Sequence, residues 1–174
     1  QGPFTGDFNA PMDLPGYHPK EDFKINKKAV AEAAKLIMAA KRPVILAGQG
    51  AMIARADKEL LQLAETLNSP VTSTLLGKGV FPETHRLSLG MLGMHGTAYA
   101  NKAICECDCI INIGSRFDDR IIGKPNMFGR NASIIHIDID ESEAGKMIKP
   151  DVFIKGDAKA ALTELLPFIG KLET

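Results

Sequence analysis

Short, nearly unbroken apolar runs, each closed by glycine or an acid, recur along this chain and alternate with helical stripes. They are Val44-Ile45-Leu46-Ala47 before Gly48, Val71-Thr72-Ser73 after Pro70, Ile110-Ile111-Asn112-Ile113 before Gly114, Ser133-Ile134-Ile135-His136-Ile137 before Asp138, and Val152-Phe153-Ile154. Runs of this length without in-out alternation suit strands covered on both faces, as in a parallel sheet. Between them, apolar residues follow a helical period: Val30, Ala33, Ala34, Ile37 and Met38 after the cap candidate Asn26, then Leu60, Leu63, Ala64 and Leu67. A weaker stripe from Thr97 carries Ala100, Ala103 and Ile104, and a last one from the cap candidate Asp157 carries Ala161, Leu162, Leu165, Leu166 and Ile169. Strands alternating with helices require right-handed crossovers. The expected fold is an α/β three-layer sandwich: a Rossmann-like, doubly wound parallel sheet of about six strands.

Charge and composition narrow the function classes. The 174 residues carry 21 Lys+Arg against 21 Asp+Glu, so no net field steers the chain onto nucleic acid or anionic lipid. Hydrophobic residues at 45% and charged ones at 24% are those of a globular domain rather than a disordered chain. No stretch approaches the ~20 apolar residues of a membrane span. Neither a nucleic-acid nor a membrane partner is expected. Residues 1–25 mix Pro, Gly and Asp with scattered Phe4, Phe8, Tyr17 and Phe23 and have neither period. They read as an inter-domain connector, residues 26–174 as one cofactor-binding domain, and the whole as a piece of a larger protein.

Cys105, Cys107 and Cys109 fall in one five-residue run. An odd number so closely spaced makes a poor disulfide framework, and alternate positions on a strand would share a face, which suits burial in a reducing, cytoplasmic setting. A zinc site would need four ligands, usually in CxxC spacing, and the nearest histidine is His95. No metal is expected in this domain.

Ligands of open α/β sheets bind beyond the carboxyl ends of the strands. There the chain places Gly48-Gln49-Gly50, Thr74-Leu75-Leu76-Gly77, the run from Gly114 to Arg120, Asp138-Ile139-Asp140 and Gly156-Asp157-Ala158. Small residues on one edge would admit a ligand closely. Two common nucleotide signatures are missing. In GxGxxG the third glycine would stand at Ile53 and no acid ends the second strand, and no GxxxxGK[ST] occurs. Arg116 and Arg120, four apart, can meet a pyrophosphate, with Asp118 and Asp119 orienting them or accepting from ribitol or ribose hydroxyls; a solvated salt-bridge network reads the same run equally well. Asp138 could take an adenosine ribose or adenine amino group, whereas Asp140 has an ordinary capping role open to it. Leu92, Gly93, Met94 and His95 precede the third helix, and a thioether and imidazole there could lean on a flat heteroaromatic ring. Nothing is spaced to form a triad with His95, so no catalytic residue is expected.

Three segments carry a family resemblance: Gly-Met-Leu-Gly-Met-His-Gly-Thr-Ala-Tyr-Ala-Asn at 90–101, Gly-Ser-Arg-Phe-Asp-Asp-Arg at 114–120 with Gly123-Lys124 following, and Ile-Ile-His-Ile-Asp-Ile-Asp at 134–140. From about Ala10 to Leu166 the chain resembles the central domain of the acetolactate synthase (acetohydroxyacid synthase) family of thiamine diphosphate enzymes. The resemblance implies a middle domain holding extended FAD, mainly as structural support. It implies that Gly48, Gln49, Gly50, Asp138, Ile139, Gly156, Asp157 and Ala158 lie by the ADP half. Thr74, Leu75, Leu76, Leu92, Gly93, Met94 and His95 would line the flavin, and Gly114, Arg116, Asp118 and Arg120 the ribityl and pyrophosphate stretch. In the connector, Asp13 stands where some relatives carry a basic residue that reaches toward the flavin.

The resemblance also implies what these residues lack. The thiamine signature, Gly-Asp-Gly followed by Asn-Asn, is absent, so thiamine diphosphate and Mg2+ would sit in flanking domains and the fragment alone would be a non-catalytic scaffold. The parent would condense two pyruvates to 2-acetolactate and CO2, or pyruvate with 2-ketobutyrate, in branched-chain amino acid biosynthesis. It would work as a homo-oligomer, with a regulatory subunit as a further partner. The alternatives are an ADP-binding or ligand-free middle domain of another thiamine enzyme, a 2-oxo acid decarboxylase or ligase, and an interaction module that has lost its ligand.

Overall fold

The computed structural model describes residues 24–123 and 127–170. The connector proper, including Asp13, and Lys124 lie outside them. Six parallel strands form one sheet: β1 (Pro43–Ala47), β2 (Val71–Ser73), β3 (Ser88–Met91), β4 (Cys109–Ile113), β5 (Ser133–Asp138) and β6 (Val152–Lys155), in the spatial order β3-β2-β1-β4-β5-β6. The chain winds outward from β1 in one direction, returns, and winds outward from β4 in the other. The β1–β4 boundary is therefore the topological switch point.

Helices cover both faces. On one, α1 (Lys27–Ala39), α3 (Asp57–Leu67) and α6 (Ala158–Leu165) bury Ile37, Leu63 and Leu162 against Ile45, Ile111, Ile135 and Ile154. On the other, α4 (Ala98–Glu106) and the single turn α5 (Asp119–Ile122) pack Ala100, Ile104 and Ile122 with Leu46, Ile110 and Ile134. The expected three-layer sandwich is the observed one.

The caps are those the sequence indicates: the side chains of Asn26, Thr97 and Asp157 accept from backbone N–H groups in the first turns of α1, α4 and α6. Three local expectations are corrected. Met38 is more than a third exposed rather than part of the inner face of α1. The last helix gives way at Leu166 to a 3-10 turn over Leu166–Phe168. The cysteines do not share a strand: Cys105 is exposed on α4, Cys107 caps that helix and is buried, and Cys109 alone opens β4. The C-terminal end of α4 takes up the first two positions before the strand can begin.

Three labelled elements are not legible in the sequence, the single turn α5 (Asp119–Ile122) among them. The short helix α2 (Gln49–Ile53) contains Gly50 and makes little more than one turn. Edge strand β3 is half-buried, carries Gly90 at φ +72°, and pairs with β2 through a register shift.

Candidate functional site

Two adjoining clefts open over the carboxyl ends of the strands. The larger, about 730 Å³, runs over the ends of β1, β2, β3 and β4, and the smaller, about 100 Å³, lies between α2 and the turn from β6 into α6. Both are lined by Gly50, Gly114 and Asp138, so they meet over the switch point. A volume of this size lies within the roughly 300–1,000 Å³ usual for small-molecule and cofactor sites.

The larger cleft takes in Gln49, Thr74, Leu75, Leu76, Leu92, Met94, His95, Arg116, Asp118 and Arg120, and the smaller takes in Ile139, Gly156, Asp157 and Ala158. Gly48 and Gly93 line neither; both are buried beneath the loops whose paths they permit. Met91, Ser115 and Ile121 join the larger cleft without having been singled out from the sequence.

The glycines at the switch point are small because two loops interlock there. A Cβ on Gly48 would stand 2.1 Å from the Gly114 carbonyl oxygen, and one on Gly114 would stand 2.5 Å from the Gly50 Cα. Gly48 N donates to Ile113 O at 2.8 Å, Gly50 N to Gly114 O at 2.9 Å and Gly114 N to Ile137 O at 2.8 Å. The sequence reading of these glycines as openings for a ligand is thus corrected in part. They let the end of β1 dock on the end of β4, and their N–H groups are already engaged by the protein.

Free donors come instead from the loop after β4. Phe117 adopts φ +52°, rare for a bulky residue, and its side chain is 1% exposed, packed edge-on against Phe128 at 5.7 Å and His136 at 5.1 Å. That left-handed residue costs about 1–2 kcal/mol locally, which burial of the phenyl ring offsets. With Phe117 pointing in, Arg116 is turned out over the cleft, and among the described residues its guanidinium has no hydrogen-bond or ion-pair partner. Arg120 is exposed beside it, with only Asp119 near, at 3.9 Å. Asp118 does not orient the arginines as expected: its Oδ1 accepts from Arg120 N at 3.1 Å and caps α5. Ser115 is buried on the cleft wall with its Oγ unpartnered among the described residues. Unpartnered buried polar atoms ordinarily mark a missing ligand or water.

The opposite wall is built on Asn101. Its Nδ2 donates to Gly93 O and Thr97 O, and its Oδ1 accepts from Gly93 N, so the turn bearing Met94 and His95 is held on both sides. Met94 N donates to Arg120 O at 3.0 Å, which joins this wall to the arginine loop. Thr74 Oγ1 accepts from Gly77 N and fixes the turn on which Leu75 and Leu76 stand out, 68% and 61% exposed. Met94 is 64% exposed beside them, so one end of the cleft is lipophilic.

At the other end Asp138 is nearly buried at the tip of β5, its Oδ1 accepting from Asp140 N at 2.9 Å. Asp140 caps the next 3-10 turn by accepting from Ser142 N, and the Ser142 hydroxyl, together with that backbone N–H, holds its carboxyl below the usual range. Asp140 thus serves the backbone, whereas Asp138 lines both clefts.

A third cleft, about 830 Å³, lies at the amino ends of β1, β2 and β4, between Met38, Arg42, Pro70 and Cys107. It is larger and is lined by Lys41, Arg42, Asn68 and Glu106, but it lies away from the carboxyl ends of the strands where ligands of open α/β sheets bind; the nearby Asp108 carboxylate accepts from the backbone N–H groups of Lys41 and Arg42 at 2.8 Å each. Among the described residues no cluster of metal-ligating side chains occurs, and no helix is long and apolar enough to cross a membrane.

Residues 30–165 match the model of the thiamine pyrophosphate enzyme, central domain. The chain belongs to that family. It is 52% identical over 164 residues to a probable acetolactate synthase large subunit of Methanocaldococcus jannaschii, covering 94% of this chain and 27% of the relative. It is 46% identical over 169 residues to an acetolactate synthase of Mycobacterium bovis, covering 97% and 27% of the two. An acetolactate synthase large subunit of Porphyra purpurea is 46% identical over 155 residues, 89% of this chain and 26% of that protein. The chain of this central domain spans about a quarter of the length of these relatives.

Proposed function

We propose that this chain is the FAD-binding central domain of an acetolactate synthase, a scaffold within an enzyme that condenses two pyruvates to 2-acetolactate and CO2. The observation that carries the reading is the meeting of a lipophilic cleft and a small polar one at Gly50, Gly114 and Asp138, with the unpartnered Arg116 beside them. An elongated dinucleotide has that distribution of properties. The residues fit FAD on chemical grounds: a cationic middle, an acidic acceptor at one end, exposed thioether and leucine side chains at the other, and an orphaned Ser115 hydroxyl on the wall.

In this reading Asp138 accepts from the adenosine ribose, while Ile139, Gly156, Asp157 and Ala158 line the adenine end and Gly48, Gln49 and Gly50 support the ADP half. Arg116 and Arg120 neutralise the pyrophosphate, with Gly114 and Asp118 shaping the loop under the ribityl chain. Thr74, Leu75, Leu76, Leu92, Gly93, Met94 and His95 make the flavin wall. Bound there, FAD supplies structural support rather than net redox chemistry to the main reaction. Thiamine diphosphate and Mg2+ belong to flanking parts of the enzyme, which would cover the exposed Leu75, Leu76 and Met94. A homo-oligomer, a regulatory subunit and a cytoplasmic setting complete the proposal; the free thiols of Cys105, Cys107 and Cys109 agree with the last.

Titration of the protein with FAD and with ADP tests it. Binding of both with comparable affinity, and weakening of both by Arg116→Ala, is the expected result. No binding of either, or curves unchanged in Arg116→Ala, contradicts it.

A further inference from the structure

His136 lies in β5 with no exposure, yet neither ring nitrogen has a hydrogen-bond partner among the described residues. The ring is wedged edge-on between Phe117 and Phe153, with centroids at 5.1 and 5.3 Å. A phenylalanine or leucine would suit such a slot without stripping two nitrogens of water. The strand therefore carries an imidazole where packing alone does not ask for one.

The charged group that faces it is Asp138, two residues on and on the same side of the strand. His136 Nε2 is 3.6 Å from Asp138 Oδ2. The other carboxylate oxygen is held by Asp140 N at 2.9 Å. Asn112, the register partner of His136 on β4, is turned away to donate to Ser115 O at 2.6 Å. Asp138 is thus fixed on one side by its own loop and faces the imidazole on the other, with the cleft above.

We infer that His136 is a positioning residue for adenosine recognition: its Nε2–H, aimed at Asp138 Oδ2, sets the plane in which that carboxylate accepts from the ribose hydroxyls. This rests on the proposed dinucleotide reading of the cleft. At 3.6 Å the contact is electrostatic rather than a formed hydrogen bond, and binding of a ligand is what tightens contacts of this kind. Phe117 and Phe153 keep the ring from rotating away. The same Phe117 that turns Arg116 outward therefore also seats the histidine behind the acid.

The test compares binding of ADP with that of 2′,3′-dideoxy-ADP, which lacks both ribose hydroxyls, by calorimetry on the intact protein, with thermal melting to check the fold. The native protein is expected to prefer ADP. His136→Phe keeps the ring packing and removes both nitrogens; it should weaken ADP roughly tenfold, the size of one lost charge-assisted contact, and leave the dideoxy analogue unchanged. His136→Gln, which can place an amide N–H near the Nε2 position, should restore part of the preference, while His136→Asn, which reaches only the Nδ1 position, should not. In an Asp138→Ala background His136→Phe should have no further effect. Full ADP preference in His136→Phe, or equal behaviour of the Gln and Asn variants, overturns the inference alone. A native protein that binds both ligands equally overturns the ribose role of Asp138 and this inference with it.

Discussion

Asn101 brackets Gly93, donating through Nδ2 to its carbonyl at 3.1 Å and accepting through Oδ1 from its N–H at 3.3 Å. The Met94–His95 turn thus hangs from a side chain on α4, while Gly93 itself packs against Arg120, whose carbonyl oxygen would lie 2.4 Å from any Cβ there. Asn101→Ala should cost about 1–3 kcal/mol of stability and weaken FAD more than ADP, since it releases the wall at the lipophilic end. Urea denaturation and paired titrations measure both. Equal losses for the two ligands would show that this wall does not touch the flavin.

Gly48 and Gly114 should tolerate no side chain. Gly48→Ala drives a methyl into the Gly114 carbonyl, and a residue at Gly114 adds a left-handed φ of +63° to the clash with Gly50. Each change should cost more than about 3 kcal/mol, near the limit of what a domain survives. Gly145→Ala is the control: φ is +78° but nothing lies within 4 Å of its Cβ, so only the conformational cost of about 1–2 kcal/mol applies. Similar losses at Gly48 and Gly145 would contradict the interlocked-loop account.

Phe117→Ala should lose about 3–5 kcal/mol through the cavity left between Phe128 and His136. It should also reduce ADP affinity although the side chain does not line the cleft, because Arg116 is no longer turned outward. Phe117→Leu should recover most of the stability. A Phe117→Ala protein that binds ADP normally would separate the arginine's aim from the buried ring.

Burial raises the Cys107 and Cys109 thiols from 9.0 to about 12; for Cys107 the neighbouring Asp108 charge adds to it, and for Cys109 the neighbouring Cys107. Unfolded thiols ionise near 9.0 while the native ones hold their protons, so the unfolded chain sheds protons first between 9.0 and about 12. Their contribution is full below 9.0 and lost as pH climbs through that window. A Cys107→Ala/Cys109→Ala protein should show a shallower alkaline decline in urea midpoint. In the native protein a thiol reagent should modify only the exposed Cys105 quickly; rapid reaction of all three would refute the burial argument.

Much of the fold is legible in residue pattern because parallel strands covered on both faces are nearly apolar throughout, and the shortness, β-branched content and closing glycines of Val44–Leu46 and Ile110–Ile113 favour strand over buried helix. The helix caps are equally local signals. Edge strand β3 is not legible, since Ser88 and Gly90 have little strand preference and its pairing with β2 shifts register. At the site, the motif residues can be placed on one edge from topology alone, but the reason for the glycines cannot. That Gly48 faces Gly114 across sequence distance is a tertiary fact. Nor does the sequence tell that Asn101 holds Gly93 or that His136 sits behind Asp138, because each depends on which way a side chain turns within an element.

A crystal structure of the protein with FAD tests the central claim most directly. The account expects the cofactor extended along the strand ends, adenosine between Asp138 and Gly156, pyrophosphate at Arg116, and flavin against Leu75, Leu76 and Met94. Density for FAD at the amino ends of the strands by Arg42 and Pro70, or none at either end at saturating cofactor, would contradict it.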